Sequence, residues 1–167
     1  HQAMQLAMQD SLTQLGNRRS FDEQIKRTMA QACRRHTRAG LILSDLNKFK
    51  AINDNYGHDI GDNVLIQFAE ALRQSVRDTD SVFRFGGDEF AIIVADATEQ
   101  SLSVIEQRIY HAISRDALLA KYNVTSSLGL AFMNRADNAT SFFKRADNAL
   151  YSQKRVVPQK LSIVSQS

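Results

Sequence analysis

The chain has 167 residues, 43% hydrophobic and 23% charged, the profile of one soluble globular domain with room for a real core. Its single cysteine, Cys33, excludes an internal disulfide, no apolar run is long enough to span a bilayer, and there is no signal-peptide pattern. A net charge of +3 points only weakly to an anionic ligand. The basic cluster Arg34, Arg35, His36 and Arg38 reads as a solvated helix end rather than a nucleic-acid surface.

Residues 1–8 carry a short helical pattern (Met4, Leu6, Met8) without a cap, which reads as the end of an upstream linker helix over residues 1–9. Asp10-Ser11 breaks it and opens the domain expected over residues 10–167, beginning with a loop at 12–17 that has turn chemistry. A helix is expected from about Arg18, with Phe21, Ile25 and Met29 on one face and an end near Gly40. Cys33 falls inside that pattern as an inert helix residue. Residues 41–46 read as a buried strand, and residues 47–56 as a polar, irregular stretch pinned to the core by Phe49 and Ile52.

Residues 57–62 open a long helix with Asp59 as N-cap and Val64, Leu65, Phe68, Leu72 and Val76 as its apolar stripe. Val82 and Phe83 begin a strand, and residues 90–94 form a second, continuously apolar one. Leu102, Ile105, Ile109 and Ile113 mark another helix, and residues 122–132 a strand broken at Gly129. Phe143, Ala146, Ala149 and Leu150 mark a last helix, stopped before Pro158, with residues 161–164 as a final short strand. Strands interleaved with helices imply a single sheet with helices packed on it, an α/β or α+β class.

Chemistry concentrates at Arg84-Phe85-Gly86-Gly87-Asp88-Glu89-Phe90. Two glycines at a hairpin apex permit positive φ and a close approach of ligand to backbone. Two carboxylates follow, and adjacent strand residues point to opposite faces. A tight turn offering paired acids suits a divalent cation that carries phosphates, because magnesium is usually held by one or two carboxylates plus substrate oxygens. Gly-Gly-Asp alone describes an exposed acidic hairpin tip equally well.

Asp45 stands at the C-terminal end of a buried strand, where open α/β sheets place ligands. If that strand lies beside the hairpin, Asp45 and Asp88 share a metal. Lys48-Phe49-Lys50 then offers backbone N–H groups and ammonium charge to phosphates. Asn53 and Asp62 supply an amide and a carboxylate, a pair suited to a guanine edge, although Asp62 is equally explained as a first-turn acid. His58 is a turn residue beside Gly57, Lys154 a favourable charge near a helix end, and Arg77 with Asp80 a surface ion pair of little worth.

Four motifs in order carry a resemblance over nearly the whole chain: Asp10-x-Leu-Thr-x-Leu-x-Asn-Arg-Arg-x-Phe21, Asp45-Leu-Asn-Lys-Phe-Lys-Ala-Ile-Asn-Asp54, Tyr56-Gly-His-x-x-Gly-Asp62 and the hairpin segment. The sequence resembles the GGDEF-domain family of diguanylate cyclases, which make cyclic di-GMP from GTP, and Ala146-Asp-Asn-Ala-Leu-Tyr-Ser-Gln-Lys154 resembles that family's closing pattern. The resemblance implies a fold similar to the palm of nucleotidyl cyclases and polymerases, a mainly antiparallel sheet surrounded by helices. It implies that Asp45, the Leu46 carbonyl and Asp88 hold Mg2+ (or Mn2+), and that Asn53 and Asp62 recognise guanine with His58 nearby. Backbone at Lys48 and Phe49, with the Lys50 and Lys154 side chains, would cradle the triphosphate. Asp88 or Glu89 would help remove the proton from the attacking 3′-hydroxyl. Arg77 and Asp80 sit where the family keeps a product-binding inhibitory motif, with Arg108 as that site's second arginine.

Three departures from the family pattern stand out. Asn47 replaces a common second aspartate, which removes a charge near the metal but no principal ligand. Gln14 replaces a common glycine. Val157-Pro158-Gln159 occupies the place of Gly-Arg-Asn, so a phosphate-binding arginine is missing unless Arg155 or Lys160 substitutes. The alternatives are a degenerate GTP or cyclic di-GMP binding module, against which intact Asp45, Asp88 and Glu89 argue, and a palm with another substrate, disfavoured by Asn53 and Asp62. The implied partners are GTP, cyclic di-GMP, a second copy of the domain and an upstream sensor. The domain is expected in the cytoplasm, and whether the full-length protein is membrane-anchored stays open.

Overall fold

Alternation along the strands decides what packs where. In the computed structural model, which describes residues 7–166 with side chains to Lys154, strand β1 (Gly40–Leu46) is almost wholly buried. Leu41 and Leu43 point to one face and Ile42 and Leu46 to the other, each into its own cluster. Strands β2 (Ser81–Gly86), β3 (Glu89–Val94) and β4 (Ser126–Phe132) complete an antiparallel sheet of order β2-β3-β1-β4. Residues 90–94 of β3 are buried on both faces, which is why they read as an unbroken apolar run.

One face is covered by α3 (His58–Ser75), α4 (Glu99–Arg115) and the short α5 (Ala117–Lys121), whose Phe68, Leu72, Ile109 and Leu119 meet Ile42, Phe90 and Ile92. The other carries α1 (Arg18–Arg35) and α6 (Ala139–Gln166), whose Phe21, Ile25, Phe142 and Ala146 meet Leu41, Leu43 and Ile93. Phe21, Phe68, Phe90 and Phe142 are essentially inaccessible, and each such burial contributes about 2–3 kcal/mol. The α+β class, with six helices around a four-stranded antiparallel sheet among the described residues, is the one expected. No helix among the described residues is long and apolar enough to cross a membrane.

Several local expectations fail for identifiable reasons. Helix α1 stops at Arg35 because His36 takes the left-handed conformation (φ 56°) and returns its N–H to Ala32 and Cys33 carbonyls, while Gly40 already belongs to β1. Residues 49–56 are not irregular but form helix α2 (Phe49–Tyr56), entered through Lys48 in the left-handed region. The N-cap of α3 is Gly57, and Asp59 lies in the first turn. The strand expected from residue 122 begins only at Ser126, because a short helix, α5, precedes it and ends at its C-cap Tyr122; the Asp116 carboxylate accepts from the Leu118 and Leu119 amides at 3.0 Å each and caps that helix. Helix α6 runs to Gln166 through Pro158, which lacks a backbone donor, and residues 161–164 add no strand. The linker helix expected at residues 1–9 lies largely outside the described residues, and Gln9 itself forms a bridge to Gly16.

Gly129 does not break β4. A Cβ there would lie 2.3 Å from the Ala146 carbonyl oxygen and 2.3 Å from the Leu150 amide nitrogen, so the missing side chain is what seats α6 on the sheet. Gly129→Ala is expected to cost about 3 kcal/mol, a fall in Tm of roughly 10 °C. Thermal unfolding of the purified variant checks this, and an unchanged Tm would mean α6 is free to shift.

Candidate active site

The hairpin between β2 and β3 turns through Gly87 and Asp88, with Gly86 at φ 117° and Gly87 at φ 53°. A Cβ on either glycine would meet nothing within 4 Å, so conformation, not crowding, demands glycine, and the backbone stays open to a ligand. Register sets Glu89 opposite Asp45, and the Leu46 amide donates to the Asp88 carbonyl at 3.3 Å. The end of β1 and the hairpin turn are therefore one surface, as anticipated.

On that surface Asp45 and Asp88 meet. Burial pushes the Asp88 carboxyl up to about 6, and the Asp45 carboxylate, with which it shares a hydrogen bond, pushes the same way against the Lys154 ammonium. Lys154, from α6, donates to Asp45 Oδ2 at 2.5 Å. That bond leads the causes that raise the lysine above its ordinary value. Two crowded carboxylates whose mutual repulsion a cation would relieve fit a divalent metal. No cluster of three or more protein carboxylates, imidazoles or thiols converges among the described residues. The remaining ligands would then be carbonyl, water and phosphate oxygens, the habit of a magnesium site.

Next to this pair begins α2. Its N-cap, Lys48, makes no side-chain capping bond, so the first N–H groups of the helix face outward as a ready seat for phosphate. Lys50 is exposed in the first turn, and His58 is exposed at the start of α3. Asp62 is exposed one turn further on, immediately after a buried Gly61 that packs against the Asn53 amide. The structure thus brings Asn53 and Asp62 to one place although they stand on different helices.

A family model described as "Diguanylate cyclase, GGDEF domain" matches residues 7–158. This chain belongs to the GGDEF family. The diguanylate cyclase DgcS of Shewanella oneidensis is 38% identical over 148 residues, 89% of this chain and 50% of that protein. The diguanylate cyclase DosC of Escherichia coli is 37% identical over 150 residues, 87% of this chain and 33% of that protein. The chain spans half or less of the length of these curated relatives. Among solved structures, the GGDEF domain of DgcB from Caulobacter crescentus in complex with c-di-GMP is similar with a TM-score of 0.83 at 30% identity, covering 90% of this chain and 92% of that one.

In this GGDEF domain the hairpin has a buttress that the motifs alone did not reveal. Arg84 Nε donates to the Gly87 carbonyl at 2.9 Å, and its Nη1 pairs with Asp10 Oδ1 at 2.9 Å with both side chains largely buried. Burial pushes the Asp10 carboxyl up, but hydrogen bonds from the Thr13 side chain and backbone, with Arg84, outweigh it and hold Asp10 below its ordinary value. The segment entering the domain is thereby bolted to the hairpin turn. The two partners are 74 residues apart, and only their presence in separate motifs hinted at the pairing.

Asn47 explains its departure from the GGDEF pattern. Its amide accepts from Ser127 Oγ at 2.8 Å and donates to Thr125 Oγ1 at 3.1 Å, tying the end of β1 to β4 rather than facing a metal. Gln14 holds φ 64°, the conformation a glycine would take freely, with its side chain bonded to the Ser11 carbonyl. The side chains of Arg155, Pro158 and Lys160 lie outside the described residues.

Arg77 and Asp80 form more than a loose surface pair. The Asp80 side chain has 0% exposure and accepts from Arg77 Nε and Nη2 at 3.2 Å each and from the Ala95 amide at 3.1 Å. Its oxygens are spent on the fold, so it aims Arg77 rather than receiving a ligand N–H itself. Arg77 remains 43% exposed, and Arg108 is exposed on α4.

Proposed function

We propose that this domain is a diguanylate cyclase that condenses two GTP into cyclic di-GMP with release of two pyrophosphates, in a face-to-face pair of domains. The observation that carries this reading is the meeting of Asp45 and Asp88 on one surface, opposite Glu89 and beside an uncapped helix N-terminus. Asp45, the Leu46 carbonyl and Asp88 would hold Mg2+, or Mn2+ in its place. Bound there, the ion supplies charge neutralisation to the triphosphate and acidifies the attacking hydroxyl.

The chain's own groups do the rest. Backbone N–H groups after Lys48, with Lys50 and Lys154, grip the phosphates, and Asn53 and Asp62 read the guanine edge beside His58. Asp88 or Glu89 receives the 3′-hydroxyl proton as that oxygen bonds to the α-phosphorus of the facing GTP. The α–β bridging P–O bond breaks and pyrophosphate leaves. One domain holds one nucleotide, so closing a ring of two requires a second domain. Pyrophosphate release measured with GTP and with ATP tests the assignment: release from GTP alone is expected, and equal release from ATP would overturn it.

Product feedback through Arg77 belongs to the same proposal. Arginine is the natural donor to a phosphodiester or to the Hoogsteen edge of guanine. Asp80 with the Ala95 carbonyl engages Arg77 Nε and Nη2 and so orients the guanidinium, whose Nη1 would meet the product. Paired with Arg108 of a neighbouring domain, bound cyclic di-GMP would keep two active sites apart. Arg77→Ala should leave the initial rate within about twofold but abolish the slowdown as product accumulates. Calorimetry that finds no binding of cyclic di-GMP at micromolar concentration to the unmutated domain would remove this part.

A further inference from the structure

Two glycines frame the start of α3, and they are glycine for opposite reasons. Gly57 has φ 90°, and a Cβ on it would meet nothing within 4 Å. Gly61 needs no positive φ, yet a Cβ on it would stand 1.8 Å from Asn53 Oδ1, 3.0 Å from Asn53 Cγ and 3.4 Å from Phe49 Cζ. A helix accepts a glycine in its body at a cost of about 1 kcal/mol relative to alanine, so this one calls for a reason other than backbone freedom. The side-chain space it leaves is filled by the Asn53 amide.

That amide is unusual in a second way. Asn53 Oδ1 is enclosed without a hydrogen-bond partner, a burial that ordinarily costs about 1–3 kcal/mol. An amide is planar, so parking its oxygen on the Gly61 backbone sends the two N–H donors the other way. Those donors match the acceptors of a guanine edge, while the Asp62 carboxylate, one residue past Gly61, accepts from guanine N–H groups.

We propose that Gly61 is a specificity-determining positioning residue whose missing side chain seats the Asn53 amide next to Asp62, so that the two read one base together. This rests on the assignment of Asn53 and Asp62 to the base. Adenine presents a donor where guanine presents its O6 acceptor and lacks the N1–H that the carboxylate takes, so the seat governs discrimination more than phosphate grip.

The test is equilibrium binding of the α,β-methylene analogues of GTP and ATP, with Mg2+, to the unmutated domain, Gly61→Ala, Asn53→Ala and the double variant. Gly61→Ala should weaken the GTP analogue roughly tenfold and leave the ATP analogue within about twofold. In the Asn53→Ala background the same change should cost nothing further, because the clash is gone. A Gly61→Ala domain that keeps full preference for the GTP analogue overturns the proposal. So does an equal loss with and without Asn53, which would assign Gly61 to packing alone. Should Gly61→Ala fail to fold, the double variant decides: regained folding identifies the Asn53 amide as the obstacle, and continued failure overturns the seat. An unmutated domain that shows no preference for the GTP analogue would instead defeat the base assignment, and the seat with it.

Discussion

Asp45→Ala and Asp88→Ala should each lower cyclic di-GMP formation by about a thousandfold while leaving the fold intact, since each removes charge that meets the triphosphate in the transition state. Glu89→Gln should lose about a hundredfold if it shares the proton. Stability makes the Asp88 prediction sharper. A carboxyl raised from 3.8 to about 6 in the fold binds its proton more tightly folded than unfolded. Its contribution is therefore present below about 4 and is lost as the pH rises through about 6. Asp88→Asn should then match the unmutated domain in Tm at low pH and overtake it above that window when metal is withheld. Thermal scans across pH beside a turnover assay check both halves. An Asp88→Ala domain with near-normal turnover would contradict the metal assignment.

The second large effect is on assembly. If each domain presents its nucleotide to the other, activity per molecule should rise in proportion to concentration wherever the pair is mostly dissociated. Fusion to a dimeric coiled coil supplies an effective concentration in the millimolar range, so turnover at micromolar protein should rise about a hundredfold. A dilution series of specific activity, with and without the fusion, measures this. Flat activity over the whole range would mean either a dimer that never dissociates or a reaction that does not need one, and sedimentation at the same concentrations separates the two.

What was legible in the sequence follows from local physics. The hairpin announced itself through two glycines between apolar runs, and β1 through three apolar residues, Leu41, Ile42 and Leu43, ahead of Ser44 and Asp45. Neither sheet order nor helix placement was readable from periodicity; the family resemblance implied a mainly antiparallel sheet surrounded by helices, and the order β2-β3-β1-β4 came only with the structure. Helix α2 escaped because it has only eight residues, one buried, and starts at a lysine in a left-handed conformation rather than at a polar cap. The end of α1 at His36 escaped for a related reason, a non-glycine doing a glycine's work.

Of the site, Asp45, Asp88 and Glu89 were visible because strand ends and turns place side chains predictably. The Arg84–Asp10 brace and the burial of Asp80 were not, since both depend on partners in distant segments. Gly61 looked like an ordinary element of a motif, and only the position of the Asn53 amide shows what its missing side chain is for.

The most direct test of the central claim is the chemical identity of the product. The domain fused to a coiled coil should be incubated with GTP and Mg2+ and the products identified by mass spectrometry beside a pyrophosphate count. The account predicts cyclic di-GMP with two pyrophosphates released per ring, and none from the Asp88→Ala domain. Tight GTP binding with no cyclic product would contradict it and mark the domain as a nucleotide-binding module.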